Sequence, residues 1–227
     1  MKTLSSFLIG VVFFFFAPHF LWADGSADIS SDSVEIARIV QQDKSIVHIA
    51  ASLGDGYAHI GSGVVVGDKY VITAGHVVDG AGTILVNGVH QASVVVRAQD
   101  DDLALLHVPD LEARPLPLLQ SPLFDNEVVV AIGYPERDVC KAFPGGVIET
   151  DNRLVVTSAS VYEGQSGGAL LALRTEAGHS TWYVAGVIVA YFVEKRDGII
   201  IKAHHDRSVS VATPVVASFI QQKIAKK

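Results

Sequence analysis

Cysteine is nearly absent from this 227-residue chain, which contains only Cys140. A single thiol cannot form an intramolecular disulfide, so the fold must be held together by core packing alone. We expect Cys140 to be a small buried or half-buried side chain rather than a reactive thiol.

Positive charge is also scarce. The chain has 17 lysines and arginines against 24 aspartates and glutamates, a formal net charge of −7, and no basic cluster. Because nucleic-acid binding depends on clustered Lys and Arg, no nucleic-acid partner is expected. Charged residues make up only 18% of the chain and hydrophobic residues 49%, which indicates a packed globular protein rather than a disordered one.

Long apolar runs are confined to the N-terminus, at residues 7–22. This run follows a short positive start and precedes a polar stretch, a pattern typical of a signal peptide at residues 1–23, cut near Ala23 or Ala27. The alternative is an uncleaved membrane anchor, but Pro18 interrupts a run already short for a transmembrane helix. We therefore expect a secreted or periplasmic protein without stable membrane insertion after cleavage.

Helical periodicity is restricted to two short segments. Residues 32–42 carry apolar side chains at helical spacing and predict a short N-terminal helix. Thr213 and Pro214 suit the first positions of a C-terminal helix, predicted over 213–226, and its closing lysines suit a helix C-terminus.

Short segments rich in β-branched residues fill the chain between these helices. Many short strands at near-regular spacing are typical of an all-β sandwich or barrel. Residues 111–122 carry three prolines, which cannot donate to a strand ladder, so they predict a linker between two halves of about six strands each. The predicted strands cover 45–51, 57–66, 70–73, 83–86, 92–97, 103–108, 127–132, 146–150, 154–158, 169–173, 183–189, 199–202 and 208–212.

Three stretches carry side chains suited to nucleophilic catalysis. His76 follows the β-rich run V-I-T-A-G, Asp102 directly precedes an apolar strand, and Ser166 lies within G-Q-S-G-G. A serine hydroxyl becomes an effective nucleophile when a nearby base, usually histidine, accepts its proton. Each motif alone has an ordinary structural interpretation. Their occurrence together, in the order His, Asp, Ser on a β-rich chain, indicates a catalytic triad.

With these motifs the chain resembles the trypsin/chymotrypsin-like serine proteases. It is most similar to bacterial secreted members, including the catalytic domains of heat-shock periplasmic proteases and the glutamyl endopeptidases. The likeness covers roughly residues 33–222 and implies two six-stranded antiparallel β-barrels, at about 45–110 and 123–212, with an active-site cleft between them. The matching stretches are G-S-G-V-V-V at 61–66, T-A-G-H-V-V at 73–78, D-L-A-L-L at 102–106, G-Y-P at 133–135 and G-Q-S-G-G at 164–168.

The resemblance also implies roles for individual residues. His76, Asp102 and Ser166 would form the triad of a serine endopeptidase, and the backbone N–H groups of Gly164 and Ser166 would form the oxyanion hole. Gln165 occupies a position where many animal members carry an aspartate that pairs with a newly cut N-terminus. We therefore expect no such zymogen switch here.

Substrate-binding residues follow from the same resemblance, and these are Ser160, Val161, Val189, Ala190 and Tyr191. None of them is charged, so we expect no preference for Lys or Arg before the cut. A small or medium apolar residue is expected there instead. The histidine typical of glutamyl endopeptidases is also missing from its aligned position. The expected partner is a protein or peptide substrate, with no cofactor.

Two alternative functions remain at this point. G-Q-S-G-G also matches the nucleophile elbow of α/β-hydrolases, with Asp197 and His204 or His205 as acid and base. Residues 45–158 show none of the long helical periodicity which that fold needs, however. The second alternative is a non-catalytic binding protein that uses the protease scaffold.

A metal site is a further alternative, because His204 and His205 precede Asp206, and His59 and His179 occur elsewhere. Adjacent residues of a strand point to opposite faces, so neighbouring histidines rarely bind one metal together. We therefore expect no metal.

Overall fold

The computed structural model describes residues 43–54, 56–136, 139–176, 179–196 and 199–224. The predicted signal peptide and the helix predicted at 32–42 lie outside these residues. Within them the chain forms two six-stranded antiparallel barrels followed by one helix, which confirms the predicted all-β, chymotrypsin-like architecture. This architecture excludes the α/β-hydrolase interpretation.

The first barrel has the strand order β1-β2-β3-β6-β5-β4 and closes by pairing of β4 with β1. Its strands are β1 (Ile46–Ser52), β2 (Ala58–Gly67), β3 (Tyr70–Ala74), β4 (Thr83–Val86), β5 (His90–Ala98) and β6 (Leu103–His107). A short 3-10 turn, Gly75–Val78, follows β3.

The second barrel has the strand order β10-β11-β12-β9-β8-β7 and closes by pairing of β7 with β10. Its strands are β7 (Val128–Glu136), β8 (Val139–Thr150), β9 (Leu154–Thr157), β10 (Ala169–Glu176), β11 (His179–Arg196) and β12 (Ile199–Ala212). Cys140, on β8, is buried as predicted.

The C-terminal helix, α1 (Thr213–Ile224), packs on β11 and β12 of the second barrel. Its Val216, Phe219 and Ile220 belong to an apolar cluster that also contains residues of the first barrel. The hydroxyl of Thr213 donates to the carbonyl oxygen of Val184 at 3.1 Å, which ties the start of the helix to β11. Among the described residues, no helix combines the length and the apolar character needed to cross a membrane.

The proline-rich segment between the barrels has no regular secondary structure apart from an isolated β-bridge at Leu118, and it hydrogen-bonds to both barrels. The N–H of Leu116 donates to the carbonyl oxygen of Val65 in the first barrel, and the N–H of Leu119 donates to that of Val184 in the second. The segment therefore lies along the junction of the two barrels.

The two barrels share an apolar interface, which we call the interbarrel core. Successive side chains of a strand point to opposite faces, and on β6 they divide accordingly. Leu105 joins the interbarrel core with Ile132 and Leu171 of the second barrel, whereas Ala104 and Leu106 fill the interior of the first. Fully burying a leucine or isoleucine stabilises the fold by roughly 1.5–3 kcal/mol, so the interbarrel core holds the two halves of the cleft in register.

Several strand predictions in the second barrel were too short. The strand predicted at 183–189 extends over His179–Arg196 as β11. The segments predicted at 199–202 and 208–212 form the single strand β12, and β8 begins at Val139 rather than at Gly146. The outer part of β12 pairs with residues 192–196 of β11 as a two-stranded ribbon, with Ile199 and Ile201 exposed.

Candidate active site

His76 and Asp102 come together because the strands that carry them are neighbours. β3 pairs with β6, and Ala74 lies opposite Leu103. His76 follows the end of β3 in the 3-10 turn, and Asp102 directly precedes β6. The N–H of Gly75 donates to the carbonyl oxygen of Asp102 at 2.8 Å, which fixes the two chain segments side by side.

The side chains of His76 and Asp102 form a hydrogen-bonded pair, which we call the dyad. Nδ1 of His76 lies 2.7 Å from Oδ2 of Asp102, and the backbone N–H of His76 donates to Oδ1 at 2.8 Å. A carboxylate accepts hydrogen bonds, so Nδ1 donates to it, and in the neutral ring Nε2 is then the acceptor nitrogen. Asp102 has φ of 49°, an uncommon left-handed conformation that aims its carboxylate back at the turn.

Arg97 on β5 holds the turn that contains His76. Its guanidinium lies 2.8 Å from Oδ1 of Asp79 and donates at 3.4 Å to the carbonyl oxygen of Gly75. The side chains of the dyad are only 18% and 25% exposed, so the pair is largely shielded from water. An open cleft lined by Arg97 and Gln99 reaches it from one side.

Ser166 sits in a tight turn, residues 164–168, which we call the nucleophile turn. Gln165 is completely buried beneath it, and its Oε1 accepts the N–H of Tyr162 at 3.0 Å. The N–H of Gly168 donates to the carbonyl oxygen of Gln165 at 2.9 Å. Across the described parts of the chain, the N–H groups of Gly164 and Ser166 donate to no backbone carbonyl.

The nucleophile turn packs directly against the first barrel. A Cβ added to Gly167 would lie 2.2 Å from both the carbonyl oxygen of Ser62 and Oγ1 of Thr73, and 2.8 Å from the nitrogen of Ala74. Only glycine permits this approach. The turn with Ser166 therefore contacts the end of β3, two residues before His76.

Replacing Gly167 with alanine is expected to destabilise the protein by roughly 2–5 kcal/mol, since the new methyl would strike backbone atoms at a left-handed φ of 83°. Urea unfolding measures the loss. Gly88→Ala is the matched control, because Gly88 has a similar φ of 76° but open space around it, so it should cost only about 1 kcal/mol. Equal losses in the two variants would contradict the packing argument.

The predicted substrate-binding residues fall on two chain segments beside this turn, residues 160–161 and 189–191, which we call the two walls. Ser160 and Val161 precede the turn, and residues 189–191 belong to β11. Ile188 on β11 hydrogen-bonds to both Gly167 and Gly168, so β11 lies directly beside the nucleophile turn at this residue. Pairing of β11 with β10 ends at Val187, which leaves the next residues at a strand edge.

His205 lies between these two walls. Its Nδ1 contacts the carbonyl oxygen of Val161 at 2.8 Å, so that nitrogen donates, and its ring stacks on Tyr162 with centroids 4.8 Å apart. The ring of Tyr191 lies 4.7 Å away on β11, and its hydroxyl donates to Oε1 of Glu163 at 2.8 Å. Burial and the Glu163 contact raise the pKa of Tyr191, so its hydroxyl remains protonated at neutral pH.

Two of the histidines considered as metal ligands, His204 and His205, bind different partners. Nε2 of His204 contacts Glu194 at 2.6 Å, whereas His205 faces Val161. No group of three or more metal-ligating side chains occurs within the described ranges.

Comparison with known proteins connects this geometry to a family. The family model of the trypsin-like peptidase domain matches residues 61–177, more than half of the chain. The chain belongs to the trypsin-like peptidase family. The match includes the dyad and the nucleophile turn, and it supports serine endopeptidase activity.

A curated relative of this trypsin-like peptidase is also a serine protease. The serine protease Do-like HtrA of Bacillus subtilis is 28% identical to it, over 66% of this chain and 39% of that protein. The chain thus spans about two fifths of the length of this curated relative.

Solved structures share the fold of this trypsin-like peptidase. The active form of the Rv3671c protease from M. tuberculosis has a TM-score of 0.69 at 22% identity, covering 92% of this chain and 94% of that one. The serine endoprotease from Yersinia pestis has a TM-score of 0.68 at 23% identity, covering 87% and 68%. These likenesses show the two-barrel fold.

Sequence reasoning missed several side chains that shape the site of this trypsin-like peptidase. Ser62 contacts the nucleophile turn, and Glu163 and His205 adjoin the substrate-binding walls. The serine of G-S-G at 61–63 was visible as part of a motif, but its partners lie far away in sequence. His205 stood out only as a candidate metal ligand and as a possible base in the α/β-hydrolase alternative.

Proposed function

We propose that this protein is a secreted serine endopeptidase that hydrolyses peptide bonds through His76, Asp102 and Ser166. The observation that carries the proposal is the dyad. The 2.7 Å contact between Nδ1 of His76 and Asp102 makes Nε2 the acceptor nitrogen of the neutral ring. The 3-10 turn that carries His76 begins at the end of β3, where the nucleophile turn packs. Secretion is inferred from the apolar run at residues 7–22.

The proposed reaction has two halves. Oγ of Ser166 attacks the scissile carbonyl carbon while Nε2 of His76 takes its proton, and the carbonyl oxygen becomes an oxyanion. His76 then returns the proton to the leaving amine, which departs and leaves an acyl-enzyme. Water, deprotonated by His76, attacks the acyl carbon, and its proton returns to Ser166 as the acid is released.

Two further groups stabilise this reaction in the proposal. Asp102 holds the ring of His76 in the required tautomer and stabilises the imidazolium that forms. The N–H groups of Gly164 and Ser166 donate to the oxyanion, and their lack of backbone partners among the described residues supports this role. The chemistry uses these protein groups alone, without a cofactor or a metal.

The primary specificity pocket is proposed to lie between the two walls formed by residues 160–161 and 189–191. Tyr191 reaches across from one wall to Glu163 beside the other, and its ring packs against His205. This crossing side chain reduces the room for a long substrate side chain. We therefore infer that the enzyme cuts after small or medium apolar residues, from protein or peptide substrates.

Replacing Tyr191 with glycine is expected to open the pocket and to raise kcat/KM for substrates with phenylalanine before the cut. One methylene in an apolar pocket changes selectivity by about 10-fold or more, so we expect the Phe/Ala ratio of kcat/KM to rise at least 10-fold. Peptide substrates that differ only at that position measure the ratio. Tyr191→Phe keeps the ring and removes only the bond to Glu163, so it should leave the ratio near the wild-type value. An unchanged ratio in Tyr191→Gly would contradict the proposed pocket.

A serine-directed phosphonate probe tests the proposed activity directly. The mature chain should be labelled, and mass spectrometry should locate the label on Ser166, while Ser166→Ala should stay unlabelled. Cleavage of a peptide library by the same preparation should then reveal the residue preferred before the cut. If the folded wild type is neither labelled nor active, the protein is a binding protein on a protease scaffold.

A further inference from the structure

Ser62 is a buried serine whose N–H, hydroxyl and carbonyl groups are all hydrogen-bonded close to the candidate active site. It lies on β2 with no exposed surface. Its carbonyl oxygen accepts the hydroxyl of Thr73 at 2.6 Å, which anchors it to β3, the strand that leads to His76. Its other groups cross to the second barrel.

Two hydrogen bonds join Ser62 to the nucleophile turn. Its N–H donates to the carbonyl oxygen of Ser166 at 2.7 Å, and its hydroxyl donates to the carbonyl oxygen of Gly164 at 2.7 Å. The N–H of Tyr134 donates to the same hydroxyl at 2.8 Å. Since a carbonyl can only accept and an N–H can only donate, the direction of the hydroxyl is fixed.

These contacts fix peptide planes on both sides of the nucleophile. A peptide unit is planar, so a bond to its carbonyl also sets the direction of the following N–H. The hydroxyl of Ser62 restrains the Gly164–Gln165 plane, and its N–H restrains the Ser166–Gly167 plane. The N–H groups of Gly164 and Ser166 belong to the peptide planes just before these two, and each of those planes shares a Cα with a restrained plane. Gly164 has φ of 90°, a conformation open to glycine, and a Cβ there would lie 2.5 Å from the carbonyl oxygen of Tyr134.

We propose that the Ser62 hydroxyl is a positioning group for the oxyanion hole: it holds the Gly164–Gln165 peptide, which lies between the two peptides that carry the N–H groups of Gly164 and Ser166, and so keeps both N–H groups aimed at the developing oxyanion. This inference rests on the proposed endopeptidase function. Ser62 does not touch the substrate. Ser62 of the first barrel thereby helps to align two oxyanion donors, the N–H groups of Gly164 and Ser166, that both lie in the second barrel.

The test is Ser62→Ala, which removes the hydroxyl and keeps the backbone bond to Ser166. Losing one oxyanion donor outright costs about 100- to 1,000-fold in kcat, so misaligning the donors should lower kcat by about 10- to 100-fold. KM for the same peptide should stay within about 3-fold, because ground-state binding does not use the hole. A peptide aldehyde, which forms a hemiacetal whose oxygen occupies the hole, should lose affinity by the same factor as kcat.

Ser45→Ala is the matched control. Ser45 is equally buried, and its hydroxyl also donates to a backbone carbonyl, that of Arg114 at 2.7 Å, without contacting the nucleophile turn. It should lower the unfolding midpoint as Ser62→Ala does, yet leave kcat and aldehyde affinity within 2-fold of wild type. If Ser62→Ala is not recovered folded, Ser62→Cys, whose thiol donates only weakly, should give the same pattern with a smaller loss.

The outcomes separate the two proposals. An active wild type whose Ser62→Ala variant keeps kcat and aldehyde affinity within 2-fold overturns the positioning role alone. Equal kinetic losses in Ser62→Ala and Ser45→Ala also overturn it, because a general loss of stability would then explain both. A folded wild type that neither cleaves peptides nor reacts with a phosphonate probe overturns the endopeptidase function and the positioning role together.

Discussion

Ser166→Ala is expected to lower kcat by a factor on the order of 10⁶, the loss known for removing the nucleophile of a serine-protease triad. Without Oγ, His76 has no hydroxyl to activate and no acyl-enzyme can form. Single-turnover and steady-state assays on a good peptide substrate measure the loss. KM should change little, since the walls at residues 160–161 and 189–191 remain intact.

The control for this variant is Ser180→Ala. Ser180 is exposed on β11, and its hydroxyl hydrogen-bonds to the hydroxyl of Thr175 on the neighbouring strand β10. It should retain full activity, and both variants should unfold at the wild-type urea concentration. If Ser166→Ala keeps more than about 1% of kcat, another group is the nucleophile and the proposed triad is wrong.

Asp102→Asn is expected to lower kcat by about 10⁴-fold while the fold is retained. The two carboxylate oxygens of Asp102 accept two donors of His76, its backbone N–H and Nδ1–H. An asparagine offers only one acceptor oxygen, so its NH₂ group must face one of these donors. If the NH₂ faces Nδ1, the ring must carry its proton on Nε2, where it can no longer serve as a base toward Ser166.

Steady-state kinetics at neutral pH measures this loss, with Asp101→Asn as the control. Asp101 is the neighbouring residue, but its carboxylate pairs with Arg153 on the surface rather than with His76. An exposed ion pair contributes only about 0–1 kcal/mol to stability, so Asp101→Asn should keep activity within a few-fold of wild type. A loss under 10-fold in Asp102→Asn would show that Asp102 does not orient the base.

Much of the first barrel could be predicted from local sequence. The strand predicted at 83–86 matches β4 to the residue, because β-branched residues there are bounded by glycine and asparagine turns. His76 and Asp102 were also visible as polar residues at strand ends. The family resemblance implied that they act together, but the pairing of β3 with β6 that brings them into contact was visible only in the structure.

The errors in the second barrel have physical reasons. The outer part of β12 contains the polar run at residues 204–207 and forms a ribbon outside the barrel, so no core imposes an alternating pattern on it. β8 continues through Pro144, a residue that normally argues against a central strand.

The contacts of Ser62 were beyond the reach of any local pattern. Its partners Tyr134 and Gly164 are 72 and 102 residues away in sequence, so only the tertiary fold brings them together.

The packing of α1 against the interbarrel core bears on when the enzyme can become active during biosynthesis. The dyad is encoded between residues 76 and 102, the nucleophile turn emerges from the ribosome some 60 residues later, and Phe219 and Ile220 arrive after both. A partly synthesised chain thus contains the proposed base before the proposed nucleophile, and later contains both before the helix that packs against the interbarrel core. The order of the elements along the chain postpones assembly of the complete site until α1 has been synthesised.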